Sequence, residues 1–289
     1  MQHVKRMLAW LTWPVLLFGF GGAIVVAGSQ GASVVVMLMI LIAAVLFCFV
    51  MERLIPWQRD WNRNQGDAGR DVLHAMVSLT LNRASLWLLP LFAALAIGGG
   101  IWPQHWPYLF QVLLAVLILD TGMAMAHHAS HRLPWLWRFH AVHHSPRRLY
   151  GFNGLMKHPV HQSVEATAGV LPLLLLGIPL NVAIILPFLA SIALLCQHTN
   201  ADIRTGIFRY LFANAEVHRF HHRRHGDGDI NFGLFTTLYD HLVGTFHYQP
   251  GKAPRTSEEL GLRQQEDYPV SYLAQLREPF RRDKPKAVS

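Results

Sequence analysis

The sequence predicts an all-α integral membrane bundle, about four transmembrane helices plus a helical hairpin, carrying a cytosol-facing helical cap rich in histidine. Three observations lead there. Only 15% of the 289 residues are charged against 52% hydrophobic, with a mean hydropathy of +0.25, whereas a soluble domain carries about 25% charged residues. Apolar runs close to the roughly 20 residues needed to span a bilayer recur along the chain. Histidines cluster at helical spacings just beyond those runs. The net charge of +8 does not indicate nucleic acid, because the basic residues flank the apolar runs and form no single patch. Cys48 and Cys196 both lie in apolar runs, so they read as small buried hydrophobes rather than a disulfide framework or thiolate metal site.

The first apolar run, Met7 to Ala27, follows Lys5 and Arg6. It exceeds the apolar core of about 7–15 residues found in a signal peptide, and a second run, Ala32 to Val50, follows at once. The turn between them, GSQGAS, is uncharged. Met51 to Asp71 carries Arg53, Arg59, Arg63 and Arg70 with several acids and with Trp57 and Trp61, which reads as an interfacial stretch with an aromatic belt. Val72 to Asn82 is apolar but holds His74, and Arg83 follows. A third membrane helix is therefore expected from near Ala84 to about Ile101, with the preceding segment at the interface. Gly98 to Pro107 again lacks Lys and Arg, and a fourth helix runs from Tyr108 to about Ala126. Every Lys and Arg then falls on one side, which puts the histidines in the cytoplasm. Val164 to Cys196, broken by LGIPLN, forms a hairpin that either dips into the bilayer or crosses twice. The chain thus divides into anchor helices 1–126, a histidine-rich region 127–250 that includes the hairpin 164–196, and a polar surface tail 251–289.

Ala126 to Ser145 holds six histidines in twenty residues. His127 and His131 are four apart, and His140, His143 and His144 read H-x-x-H-H. Residues three and four apart share a helix face, so each group can aim imidazoles at one point. Glu216 to His222 repeats H-x-x-H-H at His218, His221 and His222. Imidazole suits zinc, copper, iron and nickel, and eight histidines exceed one tetrahedral zinc. They suit two metals. Solvated loop histidines are the plainer reading, which three matched spacings disfavour. His128 points about 100° away from His127 on a helix and falls outside the set. His74 and His105 stand alone and read as packed or interfacial. His198, in QHTNAD at the end of the hairpin, and His158, in KHPVH, join the ligand candidates, while His161 and His225 stay open. Asp120 lies seven residues, roughly 10 Å along a helix, before His127. A buried acid there is costly and usually functional, and it suits a supporting role better than shared ligation. Glu165, four after His161, could orient it.

HASHRLPWLWRFHAVHHS, then KHP, H-T-N, VHRFHH and NFGLFTTLYDHLVGTF, in that order over about Asp120 to Phe246, resemble the fatty acid hydroxylase / sterol desaturase superfamily. The resemblance implies a membrane anchor, a cytosol-facing cap and a di-iron site. Its ligands would be His127, His131, His140, His143, His144, His158, His198, His218, His221 and His222. It further implies two Fe2+ ions, with O2 as co-substrate and two electrons, hydroxylating or desaturating an unactivated C–H bond of a bilayer lipid such as a sterol or fatty acyl chain. Bound imidazoles cannot accept protons, so protons would arrive through water or through nearby supporting acids, with Asp120 and Asp240 the candidate catalytic residues. The chain departs from the family at Tyr239-Asp240-His241, often Trp-Asp-Arg, and at His128, often arginine. That leaves the subfamily open. With no GxGxxG in a strand–helix setting and no cysteine set for an iron–sulfur cluster, a separate electron donor is expected. It would be a ferredoxin or cytochrome b5 type with its reductase, docked on the basic face. The expected location is a bacterial inner membrane rather than the endoplasmic reticulum. A non-catalytic histidine-rich metal-binding or transport protein is the alternative, although transport favours ligands near the bilayer midplane, and here they follow the helix ends.

Overall fold

The computed structural model describes residues 2–87, 100–224, 228–263 and 267–281, with side chains of 82–87 excepted. Among the described residues the regular structure is helical, with isolated bridges only between extended segments. Among the described residues, four stretches are long and apolar enough to cross a membrane. Helix α1, Gln2–Ser29, winds wide at Val15–Phe20, where Pro14 has no N–H to offer the regular ladder. Helix α2, Val34–Leu54, starts at Ser33, whose hydroxyl accepts from Val36 N.

Helix α3, Ala68–Trp87, differs from expectation. No separate interfacial segment precedes a helix near Ala84; the helix begins at Ala68 and runs unbroken through position 83. His74 and Asp71 on it are satisfied inside the protein, which is what allows this. His74 is buried, with Nδ1 3.2 Å from Lys157 O and Nε2 2.9 Å from Gln275 Oε1. Burial pushes its imidazole down to about 4. Asp71 is buried against Arg70 at 2.6 Å and accepts from Tyr150 Oη at 2.7 Å. Most of the expected third membrane helix lies outside the described residues.

Helix α4, Tyr108–Arg132, leads into α5, Pro134–His144. The hairpin follows as α6, Pro159–Leu176, then α7, Leu180–Ala183, and α8, Leu186–His198. Gly177, at φ 80°, ends α6 in the left-handed region that glycine tolerates. At the tip, Tyr108 Oη donates to Asn181 O at 2.8 Å, and a Cβ on Gly100 would stand 2.3 Å from Leu176 O. The tip therefore lies beside the turns at the far end of the bundle. The hairpin thus reaches from the histidine end of the bundle to the turns at its other end, and its returning arm, Leu180–His198, is long and apolar enough to cross a membrane. Helices α4 and α6 cross closely: a Cβ on Gly122 would sit 2.1 Å from Ala168 O, a backbone approach that small residues permit between membrane helices.

Two short helices complete the cap, α9, Ala215–His221, and α10, Leu238–Val243. The tail, with α11, Tyr272–Arg277, is no detached surface segment. Leu260 packs against Trp61 and Leu149, Gln275 is fully buried, and Trp57 Nε1 donates to Pro254 O at 2.8 Å.

Candidate metal centre

The histidines arrive from the ends of α4 and α8 and from α5 and α9, and they divide into two groups. His127, His131, His140, His144 and His221 form one; His143, His198, His218 and His222 form the other. Within each group, one ring nitrogen from every residue lies within 4.8 Å of the rest, and all nine side chains are buried. The i,i+4 rule explains the partition. On α5, His140 and His144 share a face toward the first group while His143 turns to the second; on α9, His218 and His222 face the second while His221 crosses to the first.

The spacing fits ions. His140 Nε2 is 3.1 Å from His127 Nε2 and 3.0 Å from His144 Nε2. His198 Nε2 is 3.3 Å from His143 Nε2 and 3.2 Å from both His218 Nε2 and His222 Nε2. Around one ion with metal–nitrogen bonds of roughly 2.0–2.1 Å, neighbouring ligands sit roughly 3 Å apart. The buried His131 Nε2 and His221 Nε2 have no hydrogen-bond partner.

The other nitrogens set the tautomers. His127 Nδ1 donates to Phe232 O at 3.1 Å, His143 Nδ1 to Met156 O at 3.2 Å, His198 Nδ1 to Leu194 O at 3.0 Å and His221 Nδ1 to Ile230 O at 2.8 Å. A carbonyl only accepts, so these Nδ1 atoms carry the proton and Nε2 keeps the lone pair. His131 Nδ1 meets Asp229 Oδ1 at 3.0 Å. Burial, reinforced by neighbouring imidazoles, pushes His143, His144, His218, His221 and His222 well below the ordinary 6.5. They are neutral and free to ligate. Neither group contains a carboxylate, a donor set for iron, zinc, copper or nickel rather than magnesium or calcium.

One expected ligand is not there. His158 lies in neither group. It caps α6, with Nδ1 accepting from Val160 N at 3.1 Å and Nε2 donating to Leu276 O at 3.2 Å. With Pro159 at the first helical position, its backbone is committed to a helix start. His161 also stands outside; its Nε2 meets Ser130 Oγ at 2.9 Å and its ring packs 4.3 Å from that of His140. Glu165 does not hold it closely, since the nearest approach is 3.8 Å and the carboxylate pairs instead with Lys157 Nζ. His128 stacks on Phe232 and meets Tyr239 Oη at 2.9 Å. His105 is exposed, and His225 lies outside the described residues.

The two candidate acids need correcting in role. Asp120 accepts from the backbone N–H groups of Leu234, Phe235 and Thr236 at 2.7–2.9 Å and from Thr236 Oγ1 at 2.6 Å. Asp240 accepts from Phe232 N at 2.7 Å, Gly233 N at 3.0 Å and Thr245 Oγ1 at 2.7 Å. Loop donors occupy both carboxylates, so neither is free to shuttle protons at the histidines. They hold the 232–236 loop, whose Phe232 carbonyl in turn orients His127. The loop folds tightly: a Cβ on Gly233 would lie 1.8 Å from Thr236 O. Asn231 enters it at φ 58°, donating to Val217 O at 3.0 Å and His247 O at 2.9 Å.

Glu52 was hidden in the sequence among the charges of the interfacial stretch. It is buried at the end of α2 and accepts from Gly151 N at 2.8 Å, Asn200 N at 2.9 Å and Thr199 Oγ1 at 3.1 Å, fastening the residues just after His198. The usable signal was an acid only two residues past the apolar run Ala32 to Val50.

Two cavities meet at the centre. An apolar cleft runs between α4, α6 and α8, lined by residues including Met123, Val170, Leu173 and Leu186. A smaller one is bounded by His127, His143, His198 and His218.

The family model for fatty acid hydroxylases matches residues 112–245, a span that contains all nine clustered histidines and both aspartates. An ornithine lipid hydroxylase of Rhizobium tropici is 31% identical over 289 residues, covering 96% of this chain and 86% of that protein. A sphingolipid C4-hydroxylase of Schizosaccharomyces pombe is 28% identical over 153 residues, 52% of each chain. An alkylglycerol monooxygenase of Danio rerio is 30% identical over 149 residues, 50% of this chain and 31% of that protein. No solved structure matches the chain.

Proposed function

As the chain belongs to the fatty acid hydroxylase family, we propose that it hydroxylates a membrane lipid with O2 at a pair of iron ions. The observation that carries this reading is the junction of nine buried imidazoles with an apolar cleft. His127, His131, His140, His144 and His221 would hold one ion, and His143, His198, His218 and His222 the other. Bound iron supplies the redox chemistry by which O2 and two electrons oxidise an unactivated C–H bond. The chain's own residues do the rest. Backbone carbonyls aim the Nε2 lone pairs, Asp120 and Asp240 hold the loop behind His127, and the cleft admits an alkyl chain while keeping water from its path.

The relative aligned along 96% of this chain is named for ornithine lipid, which favours an acyl aminolipid over a sterol as substrate, and hydroxylation over desaturation. The two electrons come from a separate ferredoxin or cytochrome b5 type donor with its reductase. The basic residues flanking the histidine end, among them Arg132, Arg138 and Arg147, support a cytoplasmic orientation, in a bacterial inner membrane.

The test is iron per chain and its spin coupling on detergent-purified protein. The expected result is about two irons per chain, exchange-coupled when oxidised. Zinc-loaded protein is first stripped and reconstituted with ferrous iron. Absence of a coupled pair after that step overturns the reading in favour of a non-catalytic metal-binding protein.

A further inference from the structure

Met123, Lys157, Glu165 and Leu194 line both the apolar cleft and the small cavity against the histidines. A molecule passing from one to the other therefore goes by the Lys157–Glu165 ion pair. The pair is buried, with side chains 9% and 3% exposed. Two other polar residues line the cleft: Gln162, whose Nε2 donates to the backbone carbonyl of Ser78 at 2.9 Å, and Ser78, whose buried hydroxyl has no hydrogen-bond partner among the described residues. Lys157 is held from behind, because its carbonyl takes the Nδ1 proton of His74.

A buried ion pair adds little stability and is often replaceable by apolar side chains of similar size. In a cleft whose remaining lining is mainly apolar, with Ser78 and Gln162 its other polar residues, that makes recognition the better account of it. The cleft extends from Glu165 to Leu173 along α6 and from Leu186 to Leu194 along α8, eight residues or roughly 12 Å of each helix. It runs away from the histidines toward the hairpin tip. An alkyl chain lying there leaves its polar end at Lys157 and Glu165.

We infer that Lys157 and Glu165 are the head-group determinants of the substrate site, selecting a lipid whose polar end carries both signs of charge. They present the carbons beside that end to the histidine groups. This rests on the lipid-hydroxylase reading above. A head of a single sign would open the pair and strand one charge without a partner, at the full cost of a buried unpaired ion. A zwitterionic head offers a partner to each. An uncharged head leaves the pair closed and gains nothing from it.

The test is retention of four radiolabelled C16 probes by the full-length protein in phosphatidylglycerol nanodiscs: N-palmitoyl-lysine, palmitate, hexadecylamine and hexadecanol. The wild type is expected to hold N-palmitoyl-lysine about tenfold or more tightly than the other three, the scale of one charge-assisted contact. The Lys157→Met/Glu165→Met double variant is expected to lose that preference while hexadecanol retention stays within about twofold. If the double variant does not fold, Glu165→Gln replaces it, and the preference for N-palmitoyl-lysine over palmitate should collapse. Equal retention of all four probes by the wild type, or a preference that survives these substitutions, overturns the inference. Iron content and coupling are read on the same samples. Head-group selectivity without coupled iron would sink the oxygenase reading and leave the inference standing; coupled iron without selectivity would do the reverse.

Discussion

His221→Ala and His143→Ala are each expected to cut turnover by about 10³-fold or more, the several kcal/mol that a bound metal contributes, and to lower bound iron. The two report on different groups, since His221 belongs to the five-membered one and His143 to the four-membered one. Iron analysis together with mass spectrometry of lipid products separates metal loss from inactivity with metal in place. His158→Ala is the informative control. It removes a helix cap, worth about 1 kcal/mol, and should leave iron unchanged. Full activity in the His221 variant would remove that residue from the site, and iron loss in the His158 variant would return that one to it.

Asp120→Ala is expected to produce the largest loss of stability, about 3 kcal/mol or more. It takes the acceptor from three backbone N–H groups, two of them buried, and from the Thr236 hydroxyl at once. Asp120→Asn keeps one carbonyl oxygen and should fall between alanine and wild type. Thermal unfolding and iron content should decline together, because the loop that Asp120 anchors orients His127. A variant with wild-type melting and wild-type iron but little turnover would instead make Asp120 a catalytic acid.

Much of this site was legible because imidazoles aimed at one point from a helix leave a periodic trace. H-x-x-x-H and H-x-x-H-H announce a helix face before any fold is known, and nine of the ten expected ligands do meet. The miss at His158 has a local cause: a histidine before Pro159 reads alike as a ligand or as a cap, and only the position of α6 against Leu276 separates them. Asp120 had the opposite difficulty. A buried acid near the histidines suggested chemistry, but its partners lie 114 to 116 residues away, on a loop whose N–H groups leave no mark in composition. Glu52 escapes the sequence for the same reason, its partner Asn200 being distant in the chain, whereas His74 is packed as its isolation suggested. The start of α3 was misplaced because burial by the tail makes its polar residues compatible with a continuous helix.

If the two histidine groups hold metal as proposed, their sharing of α5 and α9 would make their occupancy a linked equilibrium. Filling one group would fix the pitch and rotation of both short helices, and those same helices present the remaining histidines to the other group. The ordering cost is met at the first binding step, so the second proceeds on a prearranged set of donors. Uptake should then be cooperative, with a metal-titration curve steeper than independent sites allow. At limiting metal the population would divide between empty and doubly loaded molecules, and half-filled centres would be the scarce species.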